Sequence, residues 1–360
     1  MDFIKNLDQD LVKKLGIISG VVIGIFVILI IFLIVKGGRL TYSQIENKMI
    51  SAAKQYYSDN EDKLPQANNG TVTISSDKLV EDKYMKSLDK LVKNKNDVCS
   101  GQVSVTKNDD NYYYSATLSC GDNYSTKKLK NVIVENAVTS GNGIYQVGEN
   151  YIFKGDNVNN YVSFADKVWR ILRINSDGSI RMIDTTRRDS VSWDDRYNSE
   201  KEYNIGINDY NVSRIKDTLN DIYNEFSNSD KTYILKQNLC IGKRSEEETN
   251  NDGSVECSSV AENQNIGLIQ VNEFALASLS DKCNNPTSPE CSNYNYLTDI
   301  DSMWTLNADS TNSYKVFKIS GTAFTTNAIN YAQPKVVIHI NSQVNYVSGD
   351  GTEENPYVFN

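Results

Sequence analysis

Between Leu15 and Val35 the chain reads LGIISGVVIGIFVILIIFLIV, with no charged residue. About 20 apolar residues rising 1.5 Å each match a hydrocarbon core of roughly 30 Å. The run therefore predicts a membrane-spanning helix over residues 15–36, behind a cytoplasmic stub at 1–14. A cleaved signal peptide is the competing reading, because Lys5, Lys13 and Lys14 precede the run. The run exceeds a signal h-region of about 7–15 residues, and VKGGRLTYS after it has no small-x-small cleavage site. A retained anchor in the bilayer is thus expected. Flanking charge leaves orientation open, with Lys36 and Arg39 on the far side. All six cysteines lie beyond the run, which places the bulk of the chain outside the cell and the amino terminus inside.

The rest is polar. Acidic residues outnumber basic ones 46 to 37, for a net charge of −9, and no long basic block occurs. Nucleic acid and anionic lipid surfaces are therefore excluded as expected partners. Tyrosine is abundant at 22 residues. Tyrosine and asparagine make adaptable contact surfaces, although an AT-rich genome gives the same enrichment. The length suits two soluble units: a first at 41–135, a linker at 136–144 containing VTSGNG, and a second at 145–360.

In the first unit, Tyr42–Tyr57 predicts a helix with Ile45, Met49, Ala52, Ala53 and Tyr56 on one face. The strand TVTIS, a helical stretch over Ser76–Val92 and a hairpin of Gly101–Thr106 with Asn111–Ser119 follow. Cys99 enters that hairpin and Cys120 leaves it. In the second unit VWRILRI-NSDG-SIRMI predicts a hairpin turning at Asn175–Gly178, with Trp169, Ile171, Ile174, Ile180, Met182 and Ile183 buried. Ser213–Phe226 predicts an amphipathic helix. NIGLIQVNEFALAS predicts a strand and a short helix, and MWTLN, YKVFKIS and KVVIHIN predict strands. The whole is expected to be α+β.

Two resemblances sharpen this expectation. An apolar amino-terminal helix, an amphipathic helix carrying AAKQYYSDN, the segment SDKLVEDKYMKSL and a disulfide-closed sheet resemble type IV pilins and pseudopilins. Gly16 is followed by IISGV, without the Glu that pilin processing needs, so the resemblance implies a stalk and not a polymerising pilin. The second unit resembles a repeated domain of Gram-positive surface and secreted proteins. The matching pieces are Tyr161–Ile174, Ile266–Ala277, Trp304–Leu306 and the tail QPKVVIHINSQVNYVSGDGTEENPYVF from Gln333 to Phe359, with Gln333 where that family prefers Arg. This resemblance implies a C-type-lectin-like fold related to the formylglycine-generating enzyme, usually without its active site. The expected fold class is therefore a single transmembrane helix, a small pilin-like α+β domain and a larger C-type-lectin-like α+β domain.

Six cysteines allow 15 pairings, but their spacing groups them locally: Cys99 with Cys120, Cys240 with Cys257, and Cys283 with Cys291. No CxxC occurs and His339 is the single histidine, so bound metal is not expected, and neither is a cofactor. His339 sits in the apolar context VVIHINS, which reads as structural and not as a catalytic base. Paired carboxylates occur at Asp194 and Asp195, at Asp299 and Asp301, and in the tail at Asp350, Glu353 and Glu354. Each reads as a solvated turn. In lectin-like folds irregular segments present the ligand-contacting groups. The candidates are Trp193, Asp194, Asp195, Tyr197, Tyr294 and Tyr296, with Trp193 and Tyr296 expected to contact any ligand without supporting the fold; the alternative is that the tyrosines only cover the core. These readings predict a non-catalytic, membrane-anchored extracellular binding or adhesion protein with a glycan, cell-wall or protein ligand. The alternative is a structural component of a pilus-like or secretion assembly.

Overall fold

The computed structural model describes residues 39–360. The expected membrane helix at 15–36 and the stub at 1–14 lie outside them. The expected architecture of a transmembrane helix followed by pilin-like and lectin-like domains is corrected. The described chain is mixed α and β, mostly sheet with few helices, and among the described residues no helix is long and apolar enough to cross a membrane. The helix Tyr42–Asp59 illustrates why. It buries Ile45, Met49, Ala52, Ala53, Tyr56 and Tyr57 on one face, whereas Asn47, Ser51, Lys54 and Gln55 on the other are exposed. The side chain of Thr41 caps it in a capping box with Gln44, satisfying backbone donors that the first turn leaves free.

That helix packs on an antiparallel sheet of β1 (Thr71–Ser75), β2 (Ser100–Asn108) and β3 (Asn111–Ser119) in that order. Asp109, at φ 53°, opens the two-residue turn between β2 and β3. The expected helix over Ser76–Val92 forms instead as two short helices, Ser76–Glu81 and Leu88–Leu91, separated where Lys83 takes φ 67°.

The larger sheet is built from β4 (Gly143–Val147), β5 (Asn150–Lys154), β6 (Tyr161–Phe164), β7 (Lys167–Ile174), β8 (Ile180–Asp184) and the strand Val337–Ile340. Its order is Val337–Ile340, β8, β7, β5, β4, with β6 also paired to β7. Trp169, Ile171, Ile174, Ile180, Met182 and Ile183 are all buried in the β7–β8 hairpin. Against this sheet pack the helix Arg214–Asn224 through Ile215, Leu219 and Ile222, the helix Val271–Leu276 through Val271 and Phe274, and a three-stranded sheet of Met303–Ala308, Lys315–Ser320 and Thr322–Asn327.

Two hydrophobic cores result. The smaller spans Ile45 to Cys120; the larger runs from Tyr113 to Tyr357 and includes Leu129 and Ile133 of the helix Leu129–Val134. That helix, expected within the first unit, thus packs with the second. The segment expected as a linker is itself folded: the Val138 N–H donates to the Ile144 carbonyl at 2.9 Å, and Asn142 Oδ1 accepts from the Asp156 N–H at 3.2 Å.

Candidate functional site

The expected binding residues divide into buried and exposed ones. Trp193 is fully buried in the larger core, and its Nε1 donates to the Thr305 carbonyl at 3.1 Å. Asp194 is buried beside it. Its carboxylate accepts from Arg196 Nη2 at 2.7 Å and from the backbone N–H groups of Arg196, Ile207 and Arg214. That carboxylate ties three chain segments together. Tyr296 is buried with the Arg170 guanidinium 4.5 Å from its ring centroid. The expectation that Trp193 and Tyr296 face a ligand is therefore corrected: both fill the core, the Trp193 indole donating within it and the Tyr296 ring lying against Arg170. Asp195, Tyr197 and Tyr294 are exposed, and Asp195 pairs with Arg214 at 3.3 Å across solvent. Among the described residues no hydrogen bond or ring contact joins Trp193–Tyr197 to Tyr294 or Tyr296.

The three disulfides are Cys99–Cys120, Cys240–Cys257 and Cys283–Cys291, and no free cysteine remains among the described residues. They fit an extracellular protein.

A different set of residues converges on a cavity of about 550 Å³ beside the Cys240–Cys257 loop. Its floor is one row across the large sheet. His339 lies opposite Arg181, Arg181 opposite Arg173, and Arg173 opposite Ile152. Directly opposite residues share a sheet face, so the register alone brings two arginines and the histidine side by side. Glu273, from the helix Val271–Leu276, reaches down onto this row. It accepts from Arg181 Nε at 2.6 Å and Nη2 at 2.7 Å, and Arg173 Nη1 lies 3.5 Å from it. Burial pushes the Glu273 carboxyl up, but the two arginines and the hydrogen bonds outweigh it and hold it below the usual range. Arg181 Nη1 lies 3.3 Å from His339 Nε2. Guanidinium only donates, so Nε2 accepts and the ring proton sits on Nδ1. Burial, followed by the charges of Arg181 and Arg173, holds His339 well below its ordinary value and hence neutral.

The wall of the cavity comes from the start of that helix and from the disulfide loop. Gln270 Nε2 donates to the Cys240 carbonyl at 2.9 Å. Gly253, at φ +90°, lets the loop backbone pass so close that a Cβ there would stand 3.2 Å from Asn272 Nδ2. The loop is held by a buried ion pair between Arg244 and Glu256, and Arg244 Nη2 also donates to the Glu248 carbonyl at 2.8 Å. Asn272 and Asn251 both line the cavity, and the Oδ1 of each is buried without a hydrogen-bond partner. A second cavity, of about 560 Å³, lies between the helix Leu129–Val134 and the tail at Gly349–Tyr357. No unpaired buried polar side chain lines it. Among the described residues no group of three His, Cys, Asp or Glu side chains is placed to hold a metal ion.

No family model, no curated protein and no solved structure matches the chain. The site thus has to be read from its own geometry. Its lining brings together Arg173 and His339, a rim of Asn150, Asn175 and Asn238, and Asn251 and Asn272, whose unpaired Oδ1 atoms are themselves buried. None of these was singled out from sequence as a ligand contact. The available signal was the polar residue inside an apolar strand, as in IRM and IHI, which marks a side chain that must find a partner.

Proposed function

We propose that this chain is a non-catalytic extracellular binding protein, held at the cell surface through residues 15–36, which recognises its ligand at the cavity beside the Cys240–Cys257 loop. The observation that carries the reading is the polar cavity of about 550 Å³ itself, which has Arg173, Arg181 and His339 in one row across the sheet and Asn150, Asn175 and Asn238 at its rim. The rigid row beneath, locked by the Arg181–Glu273 pair, presents its groups without rearrangement, which lowers the entropy lost on binding.

The test is display of the full chain on a non-adherent host cell and measurement of retention on a panel of cell, matrix and envelope surfaces. Retention above the undisplayed host on at least one surface is expected. Equal retention on every surface would remove the reading.

A further inference from the structure

We propose that the open edge of β1 is a docking site for an extended, acidic peptide segment of another protein, which joins the small sheet as an added strand beside β1. The inference concerns a different part of the molecule from the cavity beside the Cys240–Cys257 loop and stands independently of it.

β1 pairs with β2 alone. The register decides which of its backbone groups that pairing uses. Asn108 and Asn111 flank a two-residue turn and so form a hydrogen-bonded pair, which turns the even-numbered residues of β2 toward β3 and the odd-numbered ones toward β1. The Lys107 N–H accordingly donates to the Gly70 carbonyl at 3.0 Å. Val72 and Ile74, opposite Val105 and Val103, therefore bond β2, whereas Thr71 and Thr73 turn their N–H and carbonyl groups outward. Among the described residues nothing bonds to those outward groups. β1, which reads TVTIS, also carries no charged residue and no proline, devices that commonly blunt a sheet edge. The edge strand Thr322–Asn327 provides the contrast, since there the Glu246 carboxylate accepts the Thr325 N–H at 2.9 Å and closes the edge.

A groove of about 380 Å³ lies along the open edge, between residues 72–75 and the side chains of Tyr56, Tyr57, Lys63 and Lys78. A strand edge beside a helix captures extended peptides through main-chain hydrogen bonds, and the neighbouring side chains select among them. Tyr57 is only 3% exposed, and its hydroxyl, which is not fully closed to solvent, makes no hydrogen bond among the described residues.

Charge decides the occupant. Two lysines and no acid line the groove, in a chain of net charge −9. Lys78 is paired with Asp82 at 2.9 Å and with Glu81 at 3.3 Å. Lys63 makes no ion pair among the described residues, and Asp62 and Asp82 act on it only from farther off. Its Nζ donates to Tyr56 Oη and to Asn60 Oδ1, both at 2.9 Å, which leaves one of its three N–H groups for a carboxylate. A second copy of β1 would bring no acid to it, because TVTIS holds none and that copy would add its own Lys63 and Lys78 to the interface.

The full chain is panned against a displayed library of random heptapeptides, and the enriched sequences are synthesised and titrated by fluorescence polarisation. Proline-free peptides carrying Asp or Glu are expected. N-methylation of alternate peptide bonds should weaken them by about tenfold or more, because each lost donor leaves a strand group unmet. Thr73→Pro should weaken them by a similar factor, since proline is tolerated where an edge N–H faces outward and removes that donor without touching the β1–β2 ladder. Lys63→Glu should weaken them by about tenfold through like-charge repulsion. Circular dichroism and an unchanged thermal midpoint mark each variant as folded; should Thr73→Pro unfold, Lys63→Glu and the N-methylated peptides decide. The proposal is overturned if no peptide is enriched, if the enriched peptides carry no acid, or if N-methylation or the folded variants leave affinity unchanged. Self-association of the parent in sedimentation equilibrium that is lost in Thr73→Pro would give the edge to a second copy and equally overturn it.

Discussion

Single residues carry two consequences that solution measurements can check. His339 is neutral when folded and has an ordinary value of 6.5 when unfolded. The unfolded chain therefore takes up a proton that the folded chain refuses as pH falls below 6.5, so stability rises with pH through that window and drops on acidification. Thermal unfolding midpoints should fall between neutral pH and pH values below 6.5, and His339→Gln should flatten that slope. An unchanged slope would place the acid sensitivity elsewhere. Glu273 acts in a lower window: its depressed value gives stability that is present above its ordinary 4.5 and lost as pH falls through the folded value. Removing its charge by Glu273→Gln leaves Arg181 buried without a counterion, and should cost about 3–5 kcal/mol in denaturant unfolding. Trp193→Ala should cost a similar amount, about 3–5 kcal/mol, by opening a cavity in the core. A stable Trp193→Ala variant with altered surface binding would restore this side chain to the recognition surface.

At the scale of elements, the disulfide loop is the part whose contribution can be isolated. Cys240 and Cys257 are 17 residues apart, and replacing both with Ser should lower stability by about 3 kcal/mol if the bond acts by restricting the unfolded chain. Hydrogen exchange should quicken first in residues 243–255. Unchanged exchange there would mean that the Arg244–Glu256 pair holds the loop unaided. The elements also show what could be read from sequence. Period-3.6 spacing located the helix Tyr42–Asp59 and its buried face, and Asn175–Gly178 located the β7–β8 turn, because burial periodicity and turn chemistry are local properties. Arg173, Arg181 and His339 belong to strands that were also legible. Their adjacency was not, since it depends on which residue of β7 faces which residue of β8 and on Val337–Ile340 returning from more than 150 residues away to pair with β8. Trp193 and Tyr296 were misplaced for the same reason: composition shows that an aromatic side chain is present, and only packing decides whether it faces solvent or the core.

Across the whole molecule, β3 couples the two cores. Tyr113 leaves the first sheet to pack in the larger core, its ring 4.9 Å from that of Tyr233, and its hydroxyl donates to the Asn360 carbonyl at 2.8 Å. Lys128 Nζ reaches Ser115 Oγ at 3.0 Å and Asn345 Oδ1 at 2.8 Å, and Asn345 Nδ2 donates to the Ala116 carbonyl at 2.9 Å. Calorimetry should therefore find one cooperative transition for the described region, and Tyr113→Ala should separate it into two. Two transitions in the unaltered chain would mean that the cores unfold independently. The Cys99–Cys120 bond gives this coupling a mechanical meaning. A pull applied to the two ends of the chain runs from residue 99 to residue 120 through sulfur, and the hairpin between them, which carries Tyr113 and Ser115, lies off the load path. Tension can peel away what surrounds β2 and β3 but cannot draw them out, and their contour length becomes available to an extending force only after the bond is reduced.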